Sequence, residues 1–214
     1  MLIENFPLRP FEKTINLCYY IPKSNDKLSA YLIKFKDGYE YYIKEWIKFC
    51  LSELSKKEKK IRRGQAIDTD ILPQIDIVIR ALGSSEIIPD SAKPTYKLAS
   101  SIAEHLKSNF SPDLLVKSRA TKKFAIGLNK AEREKEIKGV YSLKSNVDLS
   151  NKSILIVDDV GTSHVTAVTI GNLIKSKFPT TKLYFFCLAQ TERTEGLNND
   201  TYEKEVKGKF FKDV

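Results

Sequence analysis

Ile154-Leu155-Ile156-Val157-Asp158-Asp159-Val160-Gly161-Thr162-Ser163-His164-Val165-Thr166 is the stretch whose reading decides the architecture. Its four leading apolar residues predict a strand buried on both faces, as in a parallel sheet. Two carboxylates stand where that strand emerges, and a run of glycine and hydroxyl residues leads into a helix beginning near Val165. In an open α/β sheet ligands bind beyond the carboxyl ends of the strands, so acids and hydroxyls share one mouth. The first turn of the helix offers unpaired N–H groups and the positive end of its dipole to the same space. With the hydroxyls of Thr162, Ser163 and Thr166 this makes a phosphate cradle. Carboxylates repel phosphate, so Asp158 and Asp159 are suited to a different role. They can accept hydrogen bonds from sugar hydroxyls or support a hydrated Mg2+. The plainer alternative is a strand–turn–helix whose acids face solvent.

Working outward, Asp76–Leu82 reads as the first core strand, with Gly83-Ser84-Ser85 at its carboxyl end where small residues let backbone amides approach an anion. Pro94 opens a helix whose buried stripe is Leu98, Ala99, Ile102, Ala103 and Leu106. Asp113–Val116 is the next predicted strand. Beyond the opening motif, Ala167, Ile170, Gly171 and Ile174 share one helix face, and Leu183–Leu188 is a further buried strand that ends at Thr191, near the site rim. The stretch from Lys117 to Ser142 follows neither period and is basic; it reads as a cationic closing lid or as a static surface hairpin.

Residues 1–27 read as irregular or weakly extended, punctuated by Pro7, Pro10 and Pro22. Leu28, Tyr31, Leu32 and Phe35 repeat at helical spacing until Asp37-Gly38 breaks the helix. Tyr42, Trp46, Phe49 and Cys50 form a second stripe, for which core packing, a lid surface and a base-stacking platform are the alternatives. The basic run 56–63 reads as a solvated helix end or as a nucleic-acid contact.

A chain of 214 residues with 42% hydrophobic content can bury a substantial core. We expect a mostly helical N-terminal subdomain over 1–67, serving as hood or lid, and an α/β core over 68–214. The net charge of +9 makes polyanions candidate partners, although a lysine-rich background gives the same number. The opening MLIENFPLRPFEK lacks an apolar signal-peptide core, and no run is long enough to span a bilayer. Three scattered cysteines and two histidines argue for reduced thiols, a cytoplasmic setting and no structural zinc.

The opening stretch resembles the phosphoribosyl-pyrophosphate (PRPP) signature of type I phosphoribosyltransferases, an apolar strand, paired acids, then Thr-Thr-Gly-x-Thr. Thr162 and Thr166 match, Ser163 replaces a threonine, and His164 stands where glycine is usual. Other segments are similar to the ComF-like group: Leu28–Gly38 with its Lys-x-x-Gly-like turn, Arg119-Ala120-Thr121, Glu132-Arg133, and Gly139-Val140-Tyr141. Phe124 stands where that group has glutamine, and its zinc-binding cysteine pair and Arg-Gly-Phe-Asn segment are missing. The resemblance implies a parallel-sheet type I phosphoribosyltransferase core with a flexible lid loop.

It further implies that Asp158 and Asp159 are the catalytic and Mg2+-supporting acids. Val160, Gly161, Thr162, Ser163, His164, Val165 and Thr166 would grip the 5′-phosphate. Arg80, Gly83 and Ser84, with the loop cations Arg119, Lys122 and Lys123, would face pyrophosphate. The implied activity is transfer of a phosphoribosyl group from PRPP to a base or amine nitrogen, by a homo-oligomer. The alternatives are a non-catalytic PRPP- or nucleotide-binding module and a nucleic-acid-associated accessory protein acting through residues 56–63. For His164 two outcomes are open: a protonated imidazole donating to the phosphate, or a ring that fills the cradle and excludes it.

Overall fold

Strand β9 (Ser153–Gly161) is the middle of the fold because Ile154, Leu155, Ile156 and Val157 are all fully buried. A strand buried on both faces must have strands on both sides and helices above and below. In the computed structural model, which describes residues 3–4, 8–22, 26–62, 65–122, 129–192, 199 and 209–211 (backbone alone at 3, 4, 61, 62 and 130), both conditions hold. β10 (Lys182–Thr191) runs parallel along one edge of β9, with Phe185 opposite Ile156. β5 (Ile77–Arg80) runs parallel along the other, with Ile79 opposite Ile156.

Alternation then splits the core in two. Leu155 and Val157 join one apolar cluster with α1 (Lys27–Lys36), α2 (Glu40–Leu54) and α3 (Pro94–Leu106). Ile154 and Ile156 join the other, with Ala167, Ile170 and Ile174 of α5 (Val165–Lys177). The first cluster draws on residues either side of position 67, among them Trp46, Phe49, Val78, Leu98 and Phe186. The stripe on α2 is therefore core packing: Trp46 is completely buried and stacks edge-on against Phe211.

Among the described residues the sheet order is β1-β2-β10-β9-β5-β6, where β1 is Ile3–Glu4, β2 is Lys13–Tyr20 and β6 is Asn109–Phe110. Five of these strands are parallel and β1 is antiparallel to β2. From β5 the chain crosses through α3 outward to β6, and from β9 it crosses through α5 the opposite way to β10. The order reverses between β5 and β9, and in an open parallel sheet the carboxyl ends of strands at such a reversal are where ligands bind.

Several segments differ from the sequence reading. Residues 13–20, read as irregular, form β2; its apolar pattern is interrupted by buried Thr14 and Asn16, which hides the strand. The basic run forms a hairpin, β3 (Lys57–Arg62) against β4 (Gln65–Asp70), and not a helix end. Its charges are matched locally: Lys57 pairs with Asp70 and Lys60 with Glu58, while Lys13 also holds Glu58. Arg63 lies outside the described residues. The strand expected at 113–116 is displaced: Asn109–Phe110 enters the main sheet, while β7 (Leu115–Lys117) pairs antiparallel with β8 (Tyr141–Leu143). Between them runs α4 (Lys130–Ile137), started by a reciprocal capping box in which Asn129 and Glu132 satisfy each other's backbone N–H. No helix of the described residues is long and apolar enough to cross a membrane.

Asn199 reaches β2 at Tyr19. Asn199 is fully buried; its side chain accepts from Tyr19 N (3.0 Å) and donates to Tyr19 O (2.8 Å) and Asp26 Oδ2 (2.9 Å).

Candidate active site

The site is built at this reversal, where β9 and β5 deliver their last residues. Continuing the alternation of β9, Asp158 follows Ile156 and Asp159 follows Val157, so the two acids address opposite faces. Their neighbours agree. Lys36, the last residue of α1, places Nζ 3.5 Å from Asp159 Oδ2. Asp158 acts instead on the buried groups of the α5 face: burial first, and then the Asp158 charge, raise the pKa values of Tyr141 and Cys187. Each acid also braces the turn: Asp158 Oδ1 accepts from Asp159 N at 2.8 Å, and Asp159 Oδ1 from Val160 N at 2.6 Å.

Burial, then the adjacent charge of Asp159, push the Asp158 carboxyl up to about 7, against the pull of Lys36 and Arg80. Burial works to lower Lys36, but the attraction of Asp159 and Asp158 wins and its pKa is raised.

Beyond the acids, His164 adopts φ 54°, the left-handed region, and its carbonyl starts α5 by accepting from Val168 N at 2.8 Å. The imidazole provides no cap. It lies over Gly161, edge-on to Phe185 at 5.5 Å between ring centres, with Nδ1 buried and unpaired. Burial lowers its pKa, opposing the protonated donor considered from sequence, and the ring packs on Gly161 and Phe185. Thr191 Oγ1 donates to Thr162 Oγ1 at 3.2 Å, so Thr191 does reach the rim. Arg133 of α4 donates from Nη1 to Ser163 Oγ at 3.3 Å.

The Gly83 turn, at the end of β5, is held from beneath. Arg80 is 1% exposed and its guanidinium is engaged by Glu86, with Nη1 3.0 Å from Oε2 and Nη2 on Oε1. Glu86 Oε2 also accepts from Gly83 N at 2.6 Å, and a Cβ at Gly83 would lie 2.8 Å from that oxygen. Burial would raise Glu86, but the bonds from Arg80 and Gly83 hold it below the usual carboxylate range. Lys117, 1% exposed, donates to the carbonyls of Gly83 (3.0 Å) and Ser84 (3.1 Å) and to Thr121 Oγ1 (3.3 Å). Tyr141 OH donates to Leu82 O at 3.2 Å.

The structure places Asp158, Asp159 and Gly161–Thr166 at the end of β9 and the start of α5, and the Gly83–Ser84 turn after the neighbouring strand β5. Arg80 is occupied in shaping that turn. Arg119 is turned toward α4, bonding Glu136 Oε1 (2.8 Å) and Glu136 O (2.7 Å), and Lys122 N donates to the same carboxylate at 3.1 Å. Lys123 and Phe124 lie outside the described residues. Sequence reasoning did not single out Lys36, Glu86 or Lys117 as site residues, and it met Arg133 only as a cation of the basic stretch and in the Glu132-Arg133 likeness. The signal available for Lys117 was its place directly after the apolar Leu115-Val116, where an unpaired cation would not be tolerated.

No family model matches the chain, and no curated protein matches it in sequence. Among solved structures, those it is similar to include the following three. An allosteric regulatory enzyme of purine biosynthesis shares 18% identity over 68% of this chain and 25% of that one (TM-score 0.37), so the chain spans a quarter of its length. A hypoxanthine-guanine phosphoribosyltransferase from Bacillus anthracis shares 15% over 78% of this chain and 76% of that one (TM-score 0.35). An adenine phosphoribosyltransferase from Trypanosoma brucei, solved with AMP, pyrophosphate and ribose-5-phosphate, shares 12% over 94% and 93% (TM-score 0.40).

Proposed function

We propose that the chain is a PRPP-dependent phosphoribosyltransferase of type I, transferring phosphoribosyl to a nitrogen acceptor with release of pyrophosphate. The observation that carries this reading is placement: paired acids and a hydroxyl-rich turn heading a helix follow β9, and a small-residue turn follows its neighbour β5, on either side of the reversal in strand order seen among the described residues. Gly38 at φ 87°, ending α1 beside Lys36, supports the ComF-like likeness of that segment.

In this reading Thr162, Ser163, Thr166 and the first amides of α5 hold the 5′-phosphate. Asp158 and Asp159 accept from the ribose hydroxyls and fix the sugar as its C1–O bond breaks through an oxocarbenium-like state. Lys117 and Glu86 keep the Gly83 turn shaped for the departing anion. Carboxylate oxygens are the hard donors that Mg2+ takes, and among the described residues no group of three or more ligating side chains is assembled. Asp158 or Asp159 would be the side chain to hold Mg2+, which would supply charge neutralisation for the leaving group.

Calorimetry with PRPP and Mg2+, followed by a screen of bases and amines for pyrophosphate release, tests the reading. Asp158→Asn and Asp159→Asn should each weaken PRPP binding by roughly 1.5–3 kcal/mol, the scale of a charge-assisted hydrogen bond. Wild-type affinity in both variants would overturn it.

A further inference from the structure

Each acid of the site has one oxygen committed to the turn that it heads. Asp158 Oδ1 accepts from Asp159 N at 2.8 Å, and Asp159 Oδ1 accepts from Val160 N at 2.6 Å. The second oxygen of Asp159, Oδ2, meets Lys36, whose Nζ lies 3.5 Å away. The position of this lysine follows from α1. Leu28, Leu32 and Phe35 are buried on one side of the helix, and Lys36 extends the Leu28–Leu32 row by one further turn. The other lysine of the last turn, Lys34, lies over the rings of Tyr39 (5.0 Å) and Tyr42 (5.6 Å), so the two are not interchangeable.

Resting on the phosphoribosyltransferase reading above, we propose that Lys36 is a positioning residue, a built-in counter-ion that holds Asp159 Oδ2 in competition with a divalent cation. An ammonium and a hard metal ion seek the same carboxylate oxygen. At 3.5 Å the contact is an ion pair, longer than the 2.7–2.9 Å of a tight charge-assisted hydrogen bond, so it is one that a divalent cation can replace. The Lys36 side chain is 46% exposed and sits on a flexible four-carbon stem. The ammonium can therefore withdraw into water by rotating its own side chain, while the buried stripe keeps α1 in place. Asp159 Oδ1 stays on Val160 N through the exchange, so the carboxylate keeps its orientation whichever cation holds its other oxygen. Loading of Asp159 by free metal is thus a competition inside the protein, set by a helix that is remote in sequence from the acids.

The test is titration with Mn2+ alone, the free ion being followed by electron paramagnetic resonance, for wild type, Lys36→Met and Lys36→Arg, each with Asp159 intact and with Asp159→Asn. Lys36→Met should bind Mn2+ about fivefold more tightly than wild type, the scale of a half-exposed ion pair removed. Lys36→Arg keeps the charge and should bind no more tightly than wild type. In the Asp159→Asn background the gain from Lys36→Met should vanish. If Lys36→Met binds Mn2+ no more tightly than wild type, while wild type binds PRPP with Mg2+, the role of Lys36 is overturned and the parent reading stands. A gain that persists with Asp159→Asn overturns it too, because the lysine then acts through another group. If wild type binds no PRPP with Mg2+, the parent reading fails and this inference with it.

Discussion

Gly161 and His164 occupy one another's space: a Cβ on Gly161 would lie 2.2 Å from His164 Cε1. The loop accommodates an imidazole where a glycine is usual in the family it resembles, and it does so because the residue three positions earlier has no side chain. Gly161→Ala should expel the ring from its place against Phe185 and destabilise the protein. The same substitution in a His164→Gly background should cost much less. A double-mutant cycle by thermal or denaturant unfolding should give a coupling of about 0.5–3 kcal/mol. Additive effects would show that the ring relocates freely.

Asp158 should lower stability at the pH where it serves the site. Its raised pKa means the folded protein binds this proton more tightly than the unfolded chain. Between the ordinary carboxylate value near 4 and about 7, the folded state carries the extra proton, so stability falls as pH rises through that window. Asp158→Asn removes the buried charge. Its melting temperature should exceed that of wild type above pH 7, and the gap should close near pH 4. An equal gap at both pH values would disprove the electrostatic origin.

The Arg80–Glu86 pair separates shape from charge. Glu86→Ala leaves a buried guanidinium unmatched and should cost about 3–5 kcal/mol in denaturant unfolding. Arg80→Met combined with Glu86→Leu should recover most of that loss. The double variant still removes the acceptor of Gly83 N–H, so its affinity for pyrophosphate should stay impaired after stability returns. Full recovery of both would show that the turn needs no support from Glu86.

Asn199→Ala should loosen β2 at Tyr19. It strips both backbone groups of Tyr19 of their side-chain partner, at roughly 1–3 kcal/mol for each group left unsatisfied. Hydrogen exchange at Tyr19 should accelerate well ahead of exchange at Ile156, which sits in the sheet centre. Equal acceleration at both would mean that the effect is global.

What could be read from sequence was whatever local order carries. The β9 run was legible because four consecutive apolar residues need burial on both faces, and the stripes on α2, α3 and α5 repeat at helical spacing. β2 was not, since Thr14 and Asn16 are polar yet buried, with Asn16 Nδ2 bonding Cys18 O at 2.8 Å. The β3–β4 hairpin escaped because ion pairs such as the cross-strand Lys57–Asp70, and not a buried face, mark it. α4 is polar on nearly every side, so periodicity is silent and only its capping box announces it. In the site, Asp158 to Thr166 are neighbours in the chain and could be found together. Lys36 with Asp159, Lys117 with Gly83, and Arg133 with Ser163 are joined by the fold alone, and no spacing rule connects them.

The parallel pairing of β2 with β10 sets an order of events during synthesis. Cys18 and Leu188, which meet in that pairing, are 170 positions apart, whereas Thr162 and Thr191, linking β9 to β10, are 29 apart. Closing the longer loop costs roughly 1.5 kcal/mol more in chain entropy, at about 0.6 kcal/mol per doubling of length. On the ribosome the apolar residues of β2 must therefore wait, unpaired along that edge, until β10 has emerged. This early strand is where a chaperone would be expected to bind, and the last parallel edge of the sheet to close.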